Sequence, residues 1–209
     1  PKSRVLCLDL ASQGNLSQYL TGELDVVKNC EGGVGSLFEG KPIAPIKTTH
    51  PQIDLLHGHE QLDRFDNAPA AEDHAYAPET PAALRASGYN TIIVDTPPAV
   101  GLRHLAALCW ADIAIIPMEP VLSGISGFQN VLNAIENVVA PINPGLRWFA
   151  VMNRANMRVR SHREKEEYMR NTYGNRVLAT LSTRTAVSDA MEESPAQPVW
   201  LRRGVSKDL

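Results

Sequence analysis

"VLCLDLASQGN", residues 5–15, opens on four apolar positions, reaches an aspartate, and then breaks into small and polar residues. A run apolar at every position suits a strand buried on both faces of a parallel sheet, because a half-exposed strand would alternate. "TIIVDTPPAVG", residues 91–101, repeats the design: a β-branched run, Asp95, then two prolines that stiffen the following loop. Similar runs recur as "IDLL" at 53–56, "IAII" at 113–116, "WFAV" at 148–151 and, more weakly, "VLAT" at 177–180. Between two of them, residues 123–139 place Ile125, Phe128, Val131, Leu132, Ile135, Val138 and Val139 on one helical stripe, closed by Pro141 and Pro144. Alternation of strands and helices predicts an α/β fold with a mainly parallel twisted sheet, right-handed crossovers and flanking helices.

In such sheets ligands sit outside the carboxyl ends of the strands. Asp9 and Asp95 both occupy that position. A carboxylate held at the end of a rigid strand is a hard anionic group able to hold Mg²⁺ through water. The same residue type also caps turns and helices, so the pair in its context carries the argument, not either aspartate alone.

Composition narrows the field. The 209 residues fit one domain, and 44% hydrophobic with 21% charged residues suits a soluble globule. A formal net charge of -3 argues against a polyanion binder over the whole surface, but the charge is uneven. Residues 52–80 carry seven acidic residues against Arg64 alone, whereas residues 154–176 carry seven basic residues against three acidic ones. Cys7, Cys30 and Cys109 are odd in number and far apart, which suggests neither a disulfide framework nor a zinc cluster, and a reducing cytoplasm is the simplest home. No apolar run approaches the ~20 residues that a membrane helix needs.

Three segments together, "VLCLDLASQGNLSQYLTG", "YNTIIVDTPPAVGLRHLAALCWADIAIIPMEPVLSGISGF" and "VMNRANMR", resemble the ParA-type partition ATPases, relatives of the MinD group of deviant P-loop ATPases. The resemblance spans roughly residues 4–200 and rests on the order and spacing of several motifs. It implies a three-layer, P-loop NTPase-like fold and a single ATPase domain over residues 1–209. It also implies a switch that dimerises around ATP and Mg²⁺, binds DNA non-specifically and works with a ParB-like centromere-binding protein in the bacterial cytoplasm, at the nucleoid. Matched residue by residue, Asp9 is the first aspartate of the family's D-x-D-x-Q-G-N segment, near metal and phosphates. Asp95 is the Walker B aspartate that orders the Mg²⁺ shell. Asn153, with Arg154 beside it, matches the asparagine that reads the adenine edge, a task suited to an amide with both donor and acceptor.

The sequence departs from that pattern twice. The second aspartate of D-x-D, which helps position the attacking water, is Ala11 here, so slow or absent hydrolysis is expected. The family's K-G-G-V-G-K-T-T loop, which should precede D-x-D, has no counterpart, and truncation at the N-terminus, with a short C-terminus, is the expectation. "EGGVGSLFEG" at 31–40 is glycine-rich, but it follows D-x-D and lacks the lysine that would meet phosphate. It reads as a turn over Gly32–Gly35, after which Leu37 and Phe38 pack inward.

The basic stretch lies where the family presents arginines to DNA. Arg158, Arg160 and Arg163 are the expected phosphate contacts, with Arg184 a further candidate, against the alternative of a solvated helix whose glutamates pair with its own bases. His57 and His59 lack the further ligands of a metal site. Trp200 and Leu201 beside Arg202 and Arg203 hint at a membrane-surface tail, but the segment is too short for an amphipathic helix. Two rival functions remain: a nucleotide-independent DNA-associated regulator or scaffold, to which Ala11 and the missing loop would point, and a MinD-like membrane-cycling ATPase, which the want of a membrane helix disfavours. The polar, proline-broken stretch 66–81 reads as a surface insertion.

Overall fold

A computed structural model describes residues 3–185, 187 and 189. The chain forms two compact units, Pro1–Trp110 and Ala111–Thr185. Trp200, Leu201, Arg202 and Arg203 lie outside the described residues.

The first unit is built on strands β1 (Val5–Asp9), β2 (Ile46–Lys47), β3 (Ile53–Leu56) and β4 (Thr91–Asp95). Their order is β2-β3-β1-β4, with β1 parallel to both β3 and β4 and only the short β2 antiparallel. Helices α1 (Asn15–Thr21), α2 (Pro69–Ala75), α3 (Glu79–Ala86) and α4 (Leu102–Trp110) accompany the sheet. β1 is central, and its Leu6 and Leu8 are fully buried with Leu55 and Leu56 of β3. The second unit holds three parallel strands in the order β5-β6-β7, namely β5 (Ile113–Met118), β6 (Arg147–Ala155) and β7 (Val177–Ser182). Helices α5 (Leu122–Ala134) and α6 (Arg160–Tyr173) complete it. Its core joins Ala150, Met152 and Met169 to the ring cluster Phe128–Trp148–Tyr173, whose centroids lie 5.2 to 5.8 Å apart. The layered α/β class and the parallel strands are those expected, and all six apolar runs are strands.

Two expectations need adjusting. β4 and β5 read as strands covered on both faces, yet each is an edge strand of its sheet, and Ile93, Ile113 and Ile115 are 52%, 45% and 62% exposed. Residues 66–81 are not a simple surface excursion. Pro69 stands in the first turn of α2, where its missing N–H costs nothing, and Pro78 caps α3. Ala71 and Ala75 are buried, and Trp110 donates its indole N–H to the Ala75 carbonyl at 2.8 Å.

"EGGVGSLFEG" forms a 3-10 turn over Val34–Phe38, every residue of which is buried. Phe38 stacks on Phe65 at 5.2 Å and meets Trp110 at 5.6 Å, so the segment is core. Its glycines allow close packing on histidines: a Cβ at Gly33 would lie 2.6 Å from the His57 carbonyl oxygen, and one at Gly35 would lie 2.6 Å from Nε2 of His59.

Candidate functional site

β1 and β4 run side by side in parallel register, and their last partners are Asp9 and Asp95. Adjacent register at the carboxyl ends of two strands puts both carboxylate-bearing residues at one edge of the sheet. The Leu10 amide donates to the Asp95 carbonyl at 2.9 Å, which continues the pairing one residue beyond the strand.

Asp9 is fully buried. Its Oδ2 accepts the Ser17 amide at 2.8 Å and the Ser17 hydroxyl at 2.7 Å, and its Oδ1 accepts the Ala11 amide at 3.2 Å. The Ser17 hydroxyl in turn accepts the Gly58 amide at 2.9 Å, so the ends of β1 and β3 and the first turns of α1 share one network. Gly14 enters α1 at φ 61, a left-handed conformation suited to glycine, and a Cβ there would overlap Val27 at 2.1 Å. Gly58 is equally constrained, since a Cβ would lie 2.8 Å from the Ala11 carbonyl oxygen and 2.9 Å from that of Asp9.

Burial pushes the Asp9 carboxyl above the ordinary aspartate range, against the hydrogen bonds from Ser17 and Ala11 that favour its charged form. Asp95 as a residue is exposed at the end of β4, and its carboxyl is also raised, by partial desolvation and then by the charge of Asp9. Where the charge of one carboxylate disfavours ionisation of its neighbour, a divalent cation would relieve the repulsion. Among the described residues no group of three or more His, Cys, Asp or Glu could hold a metal unaided. Two neighbouring carboxylates could serve Mg²⁺, which keeps most of its waters and takes one or two carboxylates together with ligand phosphates.

Ala11 lies in the same loop, half-buried, with its amide on Asp9 and its carbonyl accepting the Gly14 amide at 3.1 Å. Its methyl group supplies no base. The structure thus brings Asp9, Ala11 and Asp95 together in the first unit.

The remaining candidates belong to the second unit. Asn153 is exposed near the end of β6, and its Oδ1 accepts the Arg154 amide at 2.9 Å. Arg154 has φ 52, the one positive φ among described non-glycine residues, and its guanidinium pairs with Glu119 at 3.1 Å. Of the expected DNA contacts, Arg158 is exposed, and Arg160 pairs with Glu164 one helical turn on, at 2.6 Å. Arg163 donates to the carbonyls of Met157 and Arg158 at 2.8 and 3.1 Å, closing the loop that enters α6. Arg170 and Glu166 pair across another turn, while Arg184 is half-buried and engaged in contacts of its own. His57 and His59 are 2% and 0% exposed, which places them in the core.

Ser17, Gly58 and Arg103 were not legible as members of the first constellation. The usable signal for Arg103 is a lone charge in the apolar run "LRHLAALCW".

Comparison with known proteins bears on family and fold. Residues 2–148 match the AAA domain family. The chromosome-partitioning ATPase Soj of Thermus thermophilus is 29% identical over 190 residues, covering 87% of this chain and 69% of Soj. A plasmid partition protein from Borrelia burgdorferi, solved bound to AMPPNP, superposes with a TM-score of 0.77 at 18% identity, covering 94% of this chain and 80% of that one. The ATP complex of McdA from Cyanothece gives a TM-score of 0.78 at 17% identity, covering 91% and 76%. At those identities the two structures speak for the fold, and the resemblance to ParA-type proteins read from the motifs is borne out. Among the described residues no helix is long and apolar enough to cross a membrane.

Proposed function

The chain belongs to the AAA-domain family that its residues 2–148 match, with ParA-type partition ATPases as its relatives, and on that premise we propose that it is a partition protein working as a nucleotide-dependent switch. The single observation carrying this reading is the placement of Asp9 and Asp95 as register partners at the ends of two parallel strands. Asp9 and Asp95 would hold Mg²⁺ through its waters, and the ion would neutralise the phosphate charge of bound ATP. Asp9, its carboxylate held by Ser17 and Ala11, would be one of the residues that hold the ion. Asn153 and Arg154 would contact the base, and Arg158, Arg160 and Arg163, with Arg184, would meet DNA phosphates without reading sequence. The remaining parts of the proposal, namely a homodimer formed around nucleotide, a centromere-binding protein as partner and a place in the cytoplasm at the nucleoid, rest on the family resemblance read from the motifs. Hydrolysis is proposed to be weak, because Ala11 offers nothing to orient water.

The test is binding of a fluorescent ATP analogue with and without Mg²⁺. Expected is Mg²⁺-dependent binding that Asp95→Asn weakens at least tenfold. Absence of binding by this chain would favour the second reading, a nucleotide-independent DNA-associated regulator. That reading draws on Ala11 and on the glycine-rich segment, whose Gly33 and Gly35 pack on His57 and His59.

A further inference from the structure

Arg103 is only 3% exposed, although it stands in the first turn of α4, where a positive charge opposes the helix dipole. Local preference therefore does not explain it, and its partners come from elsewhere in the unit. Its Nη1 donates to the Leu10 carbonyl at 2.9 Å. Its Nε and Nη2 hold Asp66 Oδ2 at 3.1 and 2.6 Å, and Nη2 also reaches Asp63 at 2.6 Å. The Arg103 backbone amide, an orphan donor of the helix start, is taken by Asp66 Oδ1 at 3.1 Å. Gly101 makes the approach feasible, since a Cβ there would lie 2.8 Å from the Asp66 carboxylate. Burial works to raise the Asp66 carboxyl, and the Arg103 hydrogen bonds outweigh it and leave it lowered, as for a carboxylate held ionised.

Leu10 is the residue between Asp9 and Ala11, and its amide is already bound to the Asp95 carbonyl. Its peptide is thus held on one side by β4 and on the other by Arg103. We propose that Arg103 is a positioning residue: its guanidinium, seated on Asp66 and Asp63, locks the loop Leu10–Asn15 after one strand-end aspartate to the helix that follows the other. The consequence for a ligand rests on reading Asp9 and Asp95 as a Mg²⁺–nucleotide site, but the lock itself is a property of the chain without ligand. Lysine cannot replace it, because a single ammonium lacks the planar fork that spans a carbonyl and two carboxylates.

Amide hydrogen exchange of the full chain, without nucleotide, tests the proposal. The Ala11, Gly14 and Ser17 amides all depend on the loop geometry. In Arg103→Lys their exchange is expected to rise at least tenfold, while amides of β3 and of α5 stay within twofold of the parent. Asp66→Asn, which loosens the guanidinium without emptying its place, should raise the same amides by a smaller factor and serves if Arg103 variants fold poorly. The double variant Arg103→Met/Asp66→Leu exchanges the ion pair for an apolar pair, a replacement that often restores stability. It should recover thermal stability and still exchange fast at those three amides, because Leu10 has no donor. Unchanged exchange at the three amides, a uniform rise across the unit, or full recovery in the double variant would each overturn the proposal. ATP-analogue binding by the parent chain tests the nucleotide reading separately, so one can fail without the other.

Discussion

Ser17 gives both its backbone amide and its hydroxyl to one carboxylate oxygen of Asp9, at 2.8 and 2.7 Å, and the same hydroxyl accepts the Gly58 amide. Ser17→Ala removes one donor from a buried carboxylate and the acceptor of a buried amide. The expected cost is about 1–3 kcal/mol, read as a lowered denaturation midpoint. Because the hydroxyl favours the ionised form, its loss should move the Asp9 carboxyl further upward, observable in a carboxyl NMR titration. A downward movement would mean that Ser17 is not the group stabilising that charge.

Gly35 and Gly33 make similar approaches but differ in what they meet. Gly35→Ala forces a methyl against the buried His59 ring and should destabilise by about 1–3 kcal/mol. Trimming the ring in His59→Ala should relieve part of that, giving a favourable coupling in a double-mutant cycle. Gly33→Ala meets the His57 backbone carbonyl at 2.6 Å as well as the ring Nε2 at 2.9 Å, so His57→Ala should give less relief, because the carbonyl clash remains.

These contacts mark the limit of legibility. Strands could be read because parallel-sheet interiors demand continuous apolar runs, and Asp9 and Asp95 because a polar residue interrupts such a run at its carboxyl end. The glycine-rich segment could be rejected as a phosphate loop from its missing lysine. Its packing on His57 and His59 could not be foreseen, since which side chain fills a glycine's space is a long-range fact. Prolines misled at 69 and 78, where they start helices rather than break them. Arg103 was hidden for the same long-range reason: Asp63, Asp66 and Leu10 are distant in sequence.

His59 supplies a pH prediction. Burial, reinforced by Arg64 and His57 and opposed by Glu39, lowers its pKa to about 4. With the unfolded value near 6.5, the unfolded chain binds more protons between those limits, so stability rises with pH across that window and is lost as pH falls through it. The contribution is fully present above about 6.5 and gone below about 4, and amounts to roughly 3 kcal/mol. Asp9 and Asp95, raised in the fold, act in the opposite sense as they take up protons. The difference between parent and His59→Asn isolates the histidine. Denaturant titrations at pH 7 and pH 4.5 should show a smaller loss in the variant, and an equal loss would refute the assignment.

For the second unit, neutralising Arg158, Arg160 and Arg163 to glutamine should weaken DNA retention at low salt by at least tenfold. The slope of log affinity against log salt should flatten by about 2–3, if each arginine meets one phosphate. Arg160→Gln alone should change least, because Glu164 already engages it. The fold should survive, as an exposed ion pair of this kind contributes little. Unchanged retention would remove the DNA assignment from this face.

Ala11 offers the most direct test of the catalytic reading. Its amide is bound to Asp9, so Ala11→Asp adds a third carboxylate beside Asp9, whose charge already opposes the ionisation of Asp95. Without a divalent cation that repulsion should lower the midpoint of thermal unfolding, and with Mg²⁺ the loss should be recovered by more than the parent gains. In a chain that also carries a K-G-G-V-G-K-T-T phosphate loop, the same substitution should raise ATP turnover on the order of 10²-fold, the scale of a positioned general base. Turnover should rise in kcat rather than through KM, since the carboxylate acts on water and not on nucleotide affinity. A Mg²⁺-dependent gain in stability without a gain in kcat would keep the cation at Asp9 and Asp95 and move the water-orienting role away from residue 11.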